Sequence, residues 1–424
     1  MLEEILDYRN ISKALEQVTA NKGAAGVDGM STGELRVWLE SNWTNWKQSI
    51  LEGGYRPQPV RKVEIPKPQG GKRMLGIPTV SDRLLSQAIG QWLSGQYDKG
   101  FSKQSYGFRE GRNAHQAVEQ AKIYLDEGNE WVVEIDLDQF FDRVNHDKLM
   151  GKLAKGITDK RTLKLIRSYL NSGIMEGGLV SVRQEGTPQG SPLSPVLSNI
   201  VLDELDKELE GRGHKFVRYA DDVSIYVKSE RAAQRVKEST TEYLEKELKL
   251  RVNREKTKIS QGQESNLLGF SFYRSKVKWE ARIAPKSLKR IKEKIRAKTK
   301  RNDPSDAGEK IKKLEALTMG WVEYFRIARA AKALEKLDAW TRTRIRIGLW
   351  KQWKLPRTRT RNLRKLGARP IDAYSWGHSS WGHCRMAHSR ALLSTITNSY
   401  LRKLGYIGFS THYYWKTKHQ KTLF

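Results

Sequence analysis

A short hairpin motif constrains the fold more than any other part of the sequence. Residues 216–227 comprise two β-prone runs that flank an Ala-Asp-Asp turn, which predicts a β-hairpin with Asp221 and Asp222 at its tip. Two adjacent carboxylates repel each other, and the pKa of one of them rises unless a cation lies between them. A solvated surface turn and a metal-binding site both fit this motif, because aspartate is also common in ordinary turns.

The distribution of charge indicates the kind of partner. The formal net charge of the 424 residues is +30, and the segment from Arg282 onward holds 35 Lys and Arg against 9 Asp and Glu, which gives it +26 of that total. An excess of this size indicates a polyanion as the partner. The length of the chain predicts two to four domains.

Several classes of protein are disfavoured by the same sequence. With Cys384 as the single cysteine, neither an internal disulfide bond nor a cysteine-rich zinc module is possible. Three histidines, at 378, 383 and 388, surround it, and we expect packing or phosphate contacts there rather than a zinc site. No apolar run approaches the roughly 20 residues of a membrane span, and the acidic N-terminus differs from a secretory signal. We therefore expect a cytoplasmic protein with nucleic acid, and no membrane, as its partner.

A third carboxylate follows another predicted strand. In residues 131–137 the apolar side chains alternate toward one face, so that Glu134 and Asp136 lie on the opposite face. The Asp136 carboxylate can meet the hairpin tip if the two strands are neighbours in one sheet. Three carboxylates so placed form a site for hard cations, and pairs of divalent ions commonly catalyse phosphoryl transfer to a hydroxyl. Magnesium is the natural choice.

Other segments supply groups suited to nucleotides and nucleic acid. A basic hairpin is predicted over residues 55–77, and Lys67 and Arg73 flank its tip, where they can hold a triphosphate or serve only as edge-strand charges. The glycine-rich residues 21–30 fit either a linker or a loop that contacts phosphate. Gln189 lies on a loop whose glycines permit close approach of a ligand.

These segments together resemble known motifs. Five of them resemble the ordered motif series of reverse transcriptases, namely residues 77–83, Asp136 with residues 140–142, residues 187–190, residues 219–222 and residues 268–270. Further segments resemble bacterial group II intron reverse transcriptase–maturases more narrowly, namely residues 22–29, 107–109, 320–325 and 350–354. The resemblance extends over essentially the whole chain.

The resemblance implies an α+β fold of the right-hand polymerase type. It comprises fingers, a palm with an antiparallel sheet, an α-helical thumb that is also the maturase domain, and a small basic C-terminal domain. The expected boundaries are fingers with an N-terminal extension at 1–109, palm at 110–143, fingers at 144–194, palm at 195–280, thumb and maturase domain at 281–368, and a basic DNA-binding domain at 369–424.

The resemblance also implies roles for individual residues. Asp136, Asp221 and Asp222 are expected to be catalytic and to bind two Mg²⁺ ions, with the Leu137 carbonyl as a further ligand. The expected dNTP contacts are Lys67, Arg73, Phe141 and Gln189, and Phe141 among them is expected to exclude a ribose 2′-hydroxyl. The remaining expectations are a primer grip at Leu268, Gly269 and Phe270, template contacts at Gly23, Gly26 and Gly29, and a possible general acid at Lys256.

The implied function is that of an RNA-directed DNA polymerase that extends a primer with dNTPs and binds group II intron RNA to assist splicing and mobility. The expected partners are the intron RNA, an RNA template, a DNA primer or target, and dNTPs, as a monomer or a dimer. A free-standing or domesticated reverse transcriptase and a splicing-only maturase are the alternatives. Ser191 replaces a glycine that is more usual in the family, and the cysteine-bearing endonuclease domain of some relatives is missing, which implies the compact type.

Overall fold

The computed structural model describes residues 1–66, 72–176, 179–181, 185–187, 190–300 and 305–421, without the side chains of Arg73 and of residues 418–421. The chain divides into two compact units, Met1–Ser265 and Asn266–Phe424. The predicted domain boundaries, including the one between residues 280 and 281, stay predictions.

Within the described residues, the first unit combines helices with two separate four-stranded sheets. Its helices are α1 (Leu2–Ile5), α2 (Tyr8–Ala20), α3 (Leu35–Leu51), α4 (Val80–Tyr97), α5 (Ala114–Asp126), α6 (His146–Ala154), α7 (Lys160–Leu170), α8 (Ser194–Gly211) and α9 (Glu230–Lys246). Its strands are β1 (Val60–Pro66), β2 (Lys72–Ile77), β3 (Trp131–Ile135), β4 (Ile174–Glu176), β5 (Leu179–Ser181), β6 (Lys215–Tyr219), β7 (Asp222–Val227) and β8 (Lys258–Gln261).

One sheet has the strand order β6-β7-β3-β8, and all of its neighbouring strands are antiparallel. Its apolar side chains Val133, Ile135 and Ile225 join a buried cluster with side chains from α4, α8 and α9. Burial of each such side chain stabilises the fold by roughly 1.5–3 kcal/mol. This packing covers one face of the sheet and leaves the polar residues of β3 on the other.

The second sheet has the order β2-β1-β4-β5. Strands β1 and β2 pair antiparallel with Ile65 opposite Arg73, so the basic hairpin predicted from the sequence is confirmed. β1 also pairs with β4 in parallel over a short register that begins with Val60 opposite Ile174.

The second unit is mostly helical. It contains β9 (Asn266–Leu267), β10 (Phe270–Arg274), β11 (Trp279–Ile283), α10 (Pro285–Lys298), α11 (Ala307–Phe325), α12 (Ala331–Gln352), α13 (Pro356–Lys365), α14 (Pro370–Gly377), α15 (His383–Ala387), α16 (Arg390–Thr395), α17 (Asn398–Lys403) and α18 (Phe409–Lys421). Among the helices within the described ranges, none combines the length and hydropathy that a membrane span requires.

A buried carboxylate fixes the start of the last helix. Asp338 of α12 accepts hydrogen bonds from the Tyr406 hydroxyl at 3.0 Å and from the backbone N–H groups of Phe409 at 2.7 Å and Ser410 at 2.9 Å. An anion at a helix N-terminus satisfies N–H groups that have no partner within the helix. The contact therefore ties α18 to α12.

Candidate active site

The β6–β7 hairpin presents adjacent carboxylates as the sequence predicts. Tyr219 pairs with Asp222 across the hairpin, so Ala220 and Asp221 form the two-residue turn. The backbone of Ala220 has a φ of +57°, in the left-handed region that residues with a Cβ seldom adopt. The hairpin tip is thus a tight turn in a conformation that needs support from its surroundings.

The pairing of β3 with β7 brings Asp136 to the same edge of the sheet. Ile135 lies opposite Val223 in an antiparallel register, and Asp136 and Asp222 are the next residues beyond that pair. The two strands are therefore neighbours, as is required for Asp136 to meet the hairpin tip. The catalytic and metal-binding roles of the three carboxylates stay predictions.

The pKa of Asp222 reflects the negative charge at this edge of the sheet. Desolvation of its carboxyl group, followed by the negative charges of Asp221, Asp136 and Glu134, raises its pKa to about 6, although the residue as a whole is exposed. A cation among these groups would oppose the shift because it favours the charged carboxylate. The edge of the sheet therefore concentrates negative charge.

Asp136 is positioned by the segment before β8. Its backbone N–H donates to the Thr257 hydroxyl at 3.1 Å, and its carbonyl accepts from the Asn253 N–H at 2.8 Å. The Lys256 ammonium lies 3.5 Å from a carboxylate oxygen of Asp136. Lys256, the candidate general acid, therefore lies beside the Asp136 carboxylate.

Glu134 shares the polar face of β3, and its charge is offset by neighbours on β8. The Lys258 ammonium lies 3.4 Å from its carboxylate, and the Ser260 hydroxyl donates to it at 3.3 Å. Lysine and serine two residues apart on a strand point to the same face, so the sequence of β8 already contained this signal.

The fit of this edge to a metal ion rests on its donors. Within the described ranges, no three His, Cys, Asp or Glu side chains are grouped closely enough to hold a metal ion. Carboxylate oxygens are nevertheless the ligands that hard divalent cations prefer, and the raised pKa of Asp222 shows negative charge that such a cation would neutralise. Asp136, Asp221 and Asp222 therefore stay the residues predicted to hold such a cation.

Leu137 and Phe141 lie on the segment that follows β3. Leu137 forms an isolated antiparallel bridge with Val252, and its side chain is buried. Phe141 belongs to a 3₁₀ turn, Phe140–Asp142, and its ring centroid lies 5.3 Å from that of buried Phe140. Its carbonyl accepts a hydrogen bond from the Thr187 N–H. Thr187 is therefore anchored beside Phe141.

Three of the predicted nucleotide contacts cannot be placed. Lys67 and Gln189 lie outside the described residues, and the side chain of Arg73 does so as well. Their roles stay predictions.

The glycine-rich loop with Gly23, Gly26 and Gly29 packs against the start of α4. A Cβ at Gly26 would lie 2.6 Å from the Cα of Thr79, so the close approach requires glycine there. The Arg83 guanidinium donates to the carbonyls of Ala24 and Pro78. Arg83, which lies in the motif at 77–83, therefore ties the glycine-rich loop to the start of α4.

In the second unit, Leu268 and Gly269 form the two-residue turn of the β9–β10 hairpin, with φ values of +53° and +84°. The Tyr324 hydroxyl donates to the Leu268 carbonyl at 2.8 Å, and the Ser287 hydroxyl donates to the Gly269 carbonyl at 2.9 Å. The predicted primer grip is therefore a rigid, anchored turn.

A cationic cleft lies between α13 and α14 of the second unit. The residues that line this α13–α14 cleft are Arg357, Thr360, Arg361, Arg364, Lys365, Tyr374 and His378. The rings of Tyr374 and His378 stack with centroids 4.2 Å apart. Cations beside exposed rings suit phosphates and bases. The sequence indicated an excess of positive charge from Arg282 onward but did not identify a cleft.

The raised pKa of Asp222 has a consequence for stability. The folded protein holds this proton up to about pH 6, whereas the ordinary value is 3.8, so the wild-type protein loses stability as the pH rises through this interval. Without divalent metal, Asp222→Asn should therefore raise Tm at pH 8, by about 2–4 °C for a solvent-screened effect of about 1 kcal/mol. The gain should shrink between pH 6 and pH 4 in thermal melts. Equal melting temperatures of Asp222→Asn and the wild-type protein at pH 8 would contradict the raised pKa of Asp222.

Comparison with protein families gives two matches. The reverse transcriptase (RNA-dependent DNA polymerase) family matches residues 65–272, and the group II intron, maturase-specific domain matches residues 288–367. The first match contains all three carboxylates of the candidate site. The second contains the cationic helix α13.

Comparison with individual proteins finds relatives in two bacteria. Protein YkfC of Escherichia coli (strain K12) is 33% identical over 289 residues, which cover 59% of this chain and 76% of that protein. Group II intron-encoded protein LtrA of Lactococcus lactis subsp. cremoris is 30% identical over 323 residues, covering 61% of this chain and 54% of LtrA, about half of its length. A solved chain of a partial Cas6-RT-Cas1–Cas2 complex is 25% identical, covering 58% of this chain and 42% of that chain, with a TM-score of 0.38, too low to support an argument.

Proposed function

Since the chain belongs to the reverse transcriptase family and carries a group II intron maturase-specific domain, we propose that it copies RNA into DNA at the sheet edge that holds Asp136, Asp221 and Asp222. The observation that carries the proposal is the pairing of β3 with β7, because it brings carboxylates from separate parts of the chain to one place. Reverse transcription requires such a site next to a primer terminus.

The proposed mechanism assigns a role to each group at this edge. Asp136, Asp221, Asp222 and the Leu137 carbonyl supply oxygen ligands. Two bound Mg²⁺ ions would lower the pKa of the primer 3′-hydroxyl and offset the charge of the triphosphate. Lys256 donates a proton to the leaving pyrophosphate, a role that fits its position 3.5 Å from Asp136.

The remaining substrate contacts are proposed from the family motifs. Lys67 and Arg73 hold the triphosphate, and Gln189 lines the pocket for the incoming base. The turn at Leu268, Gly269 and Phe270 grips the primer, which its anchored backbone supports. The loop at Gly23, Gly26 and Gly29 contacts the template, which its close packing against α4 supports.

Phe141 is proposed to exclude ribonucleotides by steric contact with the 2′-hydroxyl. Phe141→Ala should therefore increase incorporation of rNTPs relative to dNTPs by roughly tenfold or more, since removing a side chain from a pocket wall weakens discrimination by such factors. Single-nucleotide incorporation kinetics with dTTP and UTP measure the ratio. Retention of the dTTP rate shows that the variant is folded. An unchanged ratio of UTP to dTTP incorporation would contradict the proposed steric role of Phe141.

The test of the main proposal is primer extension. The purified full chain should extend a DNA primer annealed to an RNA template when dNTPs and Mg²⁺ are supplied, and EDTA should stop the reaction. Absence of product under these conditions, with a folded protein that binds the primed template, would overturn the proposal.

The RNA partner is proposed to bind the second unit. The maturase-specific match and the charge of the segment from Arg282 onward support group II intron RNA as this partner. The α13–α14 cleft is the proposed contact for the RNA backbone, because its arginines match phosphate geometry. A second basic surface surrounds Trp340, where Lys292, Arg296 and Arg344 lie 5.5–6.0 Å from the ring centroid.

A further inference from the structure

A buried ion pair adjoins the Ala220–Asp221 turn of the β6–β7 hairpin. The side chains of Arg218 on β6 and Asp206 on α8 are both fully buried, with 0% exposure. The Arg218 guanidinium donates from Nε to one carboxylate oxygen at 2.7 Å and from Nη2 to the other at 2.5 Å. Arginine is seldom fully buried, and a buried ion pair adds little net stability because both charges are desolvated. We therefore expect the Arg218–Asp206 ion pair to have a role other than stabilising the fold.

The third guanidinium nitrogen connects this pair to the catalytic turn. Nη1 of Arg218 donates to the Ala220 carbonyl at 3.0 Å and to Oδ1 of Asn199 at 2.9 Å. The amide of Asn199, which is 1% exposed, donates to the Gly107 carbonyl at 2.9 Å. Two side chains of α8 thus reach the backbone of the turn and of the loop beside it through one network.

Gly107 presses this loop against the turn. A Cβ at Gly107 would lie 2.3 Å from the Ala220 backbone nitrogen. The N–H of the neighbouring Tyr106 donates to the Arg218 carbonyl at 2.8 Å. The turn is therefore confined by the Gly107 loop and by the Arg218–Asp206 ion-pair network.

The conformation of Ala220 explains why confinement is needed. Its φ of +57° is unfavourable for a residue with a Cβ, and such a conformation persists only where the surroundings hold it. This conformation sets the direction in which Asp221 and Asp222 leave the turn. Release of the Ala220 carbonyl would let the turn relax and separate the two carboxylates from Asp136.

We propose that Arg218, Asp206 and Asn199 are positioning residues that hold the Ala220 turn in its left-handed conformation and so preset the three carboxylates for metal ions. The proposal rests on the proposed function, because it assumes that these carboxylates bind metal. None of the three positioning residues contacts substrate, and each acts through the backbone of the turn.

The test uses Asn199, since removing either member of the buried ion pair would leave an unpaired buried charge and strongly destabilise the protein. Asn199→Ala removes the link between α8, the Gly107 loop and Arg218. Asn199→Asp keeps the size and the acceptor for Arg218 but loses the donor to Gly107. Asn129→Ala is the matched control, because Asn129 is a buried asparagine that donates to a backbone carbonyl, that of Tyr124, at 3.1 Å.

The measurements are Mn²⁺ binding to the full chain by electron paramagnetic resonance and hydrogen exchange of the peptide that spans residues 216–227. Asn199→Ala should weaken Mn²⁺ binding by about tenfold or more, as loss of groups that orient metal ligands does, and should speed exchange in that peptide. Asn129→Ala should change neither. Asn199→Asp should give an intermediate loss, and it replaces Asn199→Ala as the test if that variant does not fold.

The outcomes separate this inference from the proposed function. Wild-type affinity and exchange in both Asn199 variants would overturn the positioning role, while the proposed function stands if Asp221→Ala/Asp222→Ala loses Mn²⁺ binding. Absence of Mn²⁺ binding by the wild-type protein would instead overturn the metal site and thus the proposed mechanism. Equal losses in Asn199→Ala and Asn129→Ala would show a general loss of packing and would also overturn the positioning role.

Discussion

Replacing both hairpin carboxylates, in Asp221→Asn/Asp222→Asn, should lower RNA-templated DNA synthesis by at least about a thousandfold. The metal ions that these groups are proposed to hold would contribute several kcal/mol to stabilising the transition state, and each 1.4 kcal/mol corresponds to a factor of ten in rate. Asparagine keeps the size of the side chain but removes the charge. Single-nucleotide extension rates at saturating Mg²⁺ measure the loss.

The control for this variant is an aspartate outside the site. Asp147→Asn removes a carboxylate that pairs with Arg167 at 2.7 Å on the surface, and its extension rate should equal that of the wild-type protein. The doubly substituted protein should still bind group II intron RNA with wild-type affinity, because the contacts proposed for the intron RNA lie in the second unit. Equal DNA synthesis by the double variant and the wild-type protein would exclude a catalytic role for the hairpin.

Removing the arginines of the α13–α14 cleft, in Arg357→Ala/Arg361→Ala/Arg364→Ala, should produce the second large effect. Each cation that neutralises a phosphate contributes roughly one to the slope of log affinity against log salt, so the slope should fall by about three. RNA affinity at 0.15 M salt should fall by roughly tenfold or more. Filter binding of group II intron RNA across a salt series measures both quantities.

A matched variant distinguishes the cleft from net charge. Lys228→Ala/Arg231→Ala/Arg235→Ala removes the same charge from exposed positions at the start of α9 in the first unit. It should leave the salt slope within about one of the wild-type value. The same fall in slope for both variants would show that the cleft has no special role in RNA binding.

Sequence patterns predicted the local elements of the site well. Alternation of apolar residues gave β3, and the Ala-Asp-Asp turn between β-prone runs gave the β6–β7 hairpin, both found where expected. Helix α4 begins at Val80, because the Thr79 side chain accepts the Asp82 N–H as its cap. Such patterns succeed because the period of a helix or strand is a local property of the chain.

Contacts between distant segments were not predictable in the same way. Arg218 is one of 78 basic residues, and nothing in its local sequence distinguishes a buried arginine from a surface one. Its partners Asn199 and Asp206 are seven residues apart on α8, and so share a face of that helix. That spacing does not indicate which strand they face. The raised pKa of Asp222 likewise depends on Asp136 and Glu134 from another strand.

The sequence by itself determined the family motifs, the excess positive charge after Arg282 and the three candidate carboxylates, because composition and short-range spacing are written in the chain. Only the tertiary structure decided that β3 and β7 are neighbours, that Lys256 reaches Asp136, and that Arg218 supports the Ala220 turn. These features depend on burial and on contacts between segments far apart in sequence. Such contacts exist only once the chain has packed.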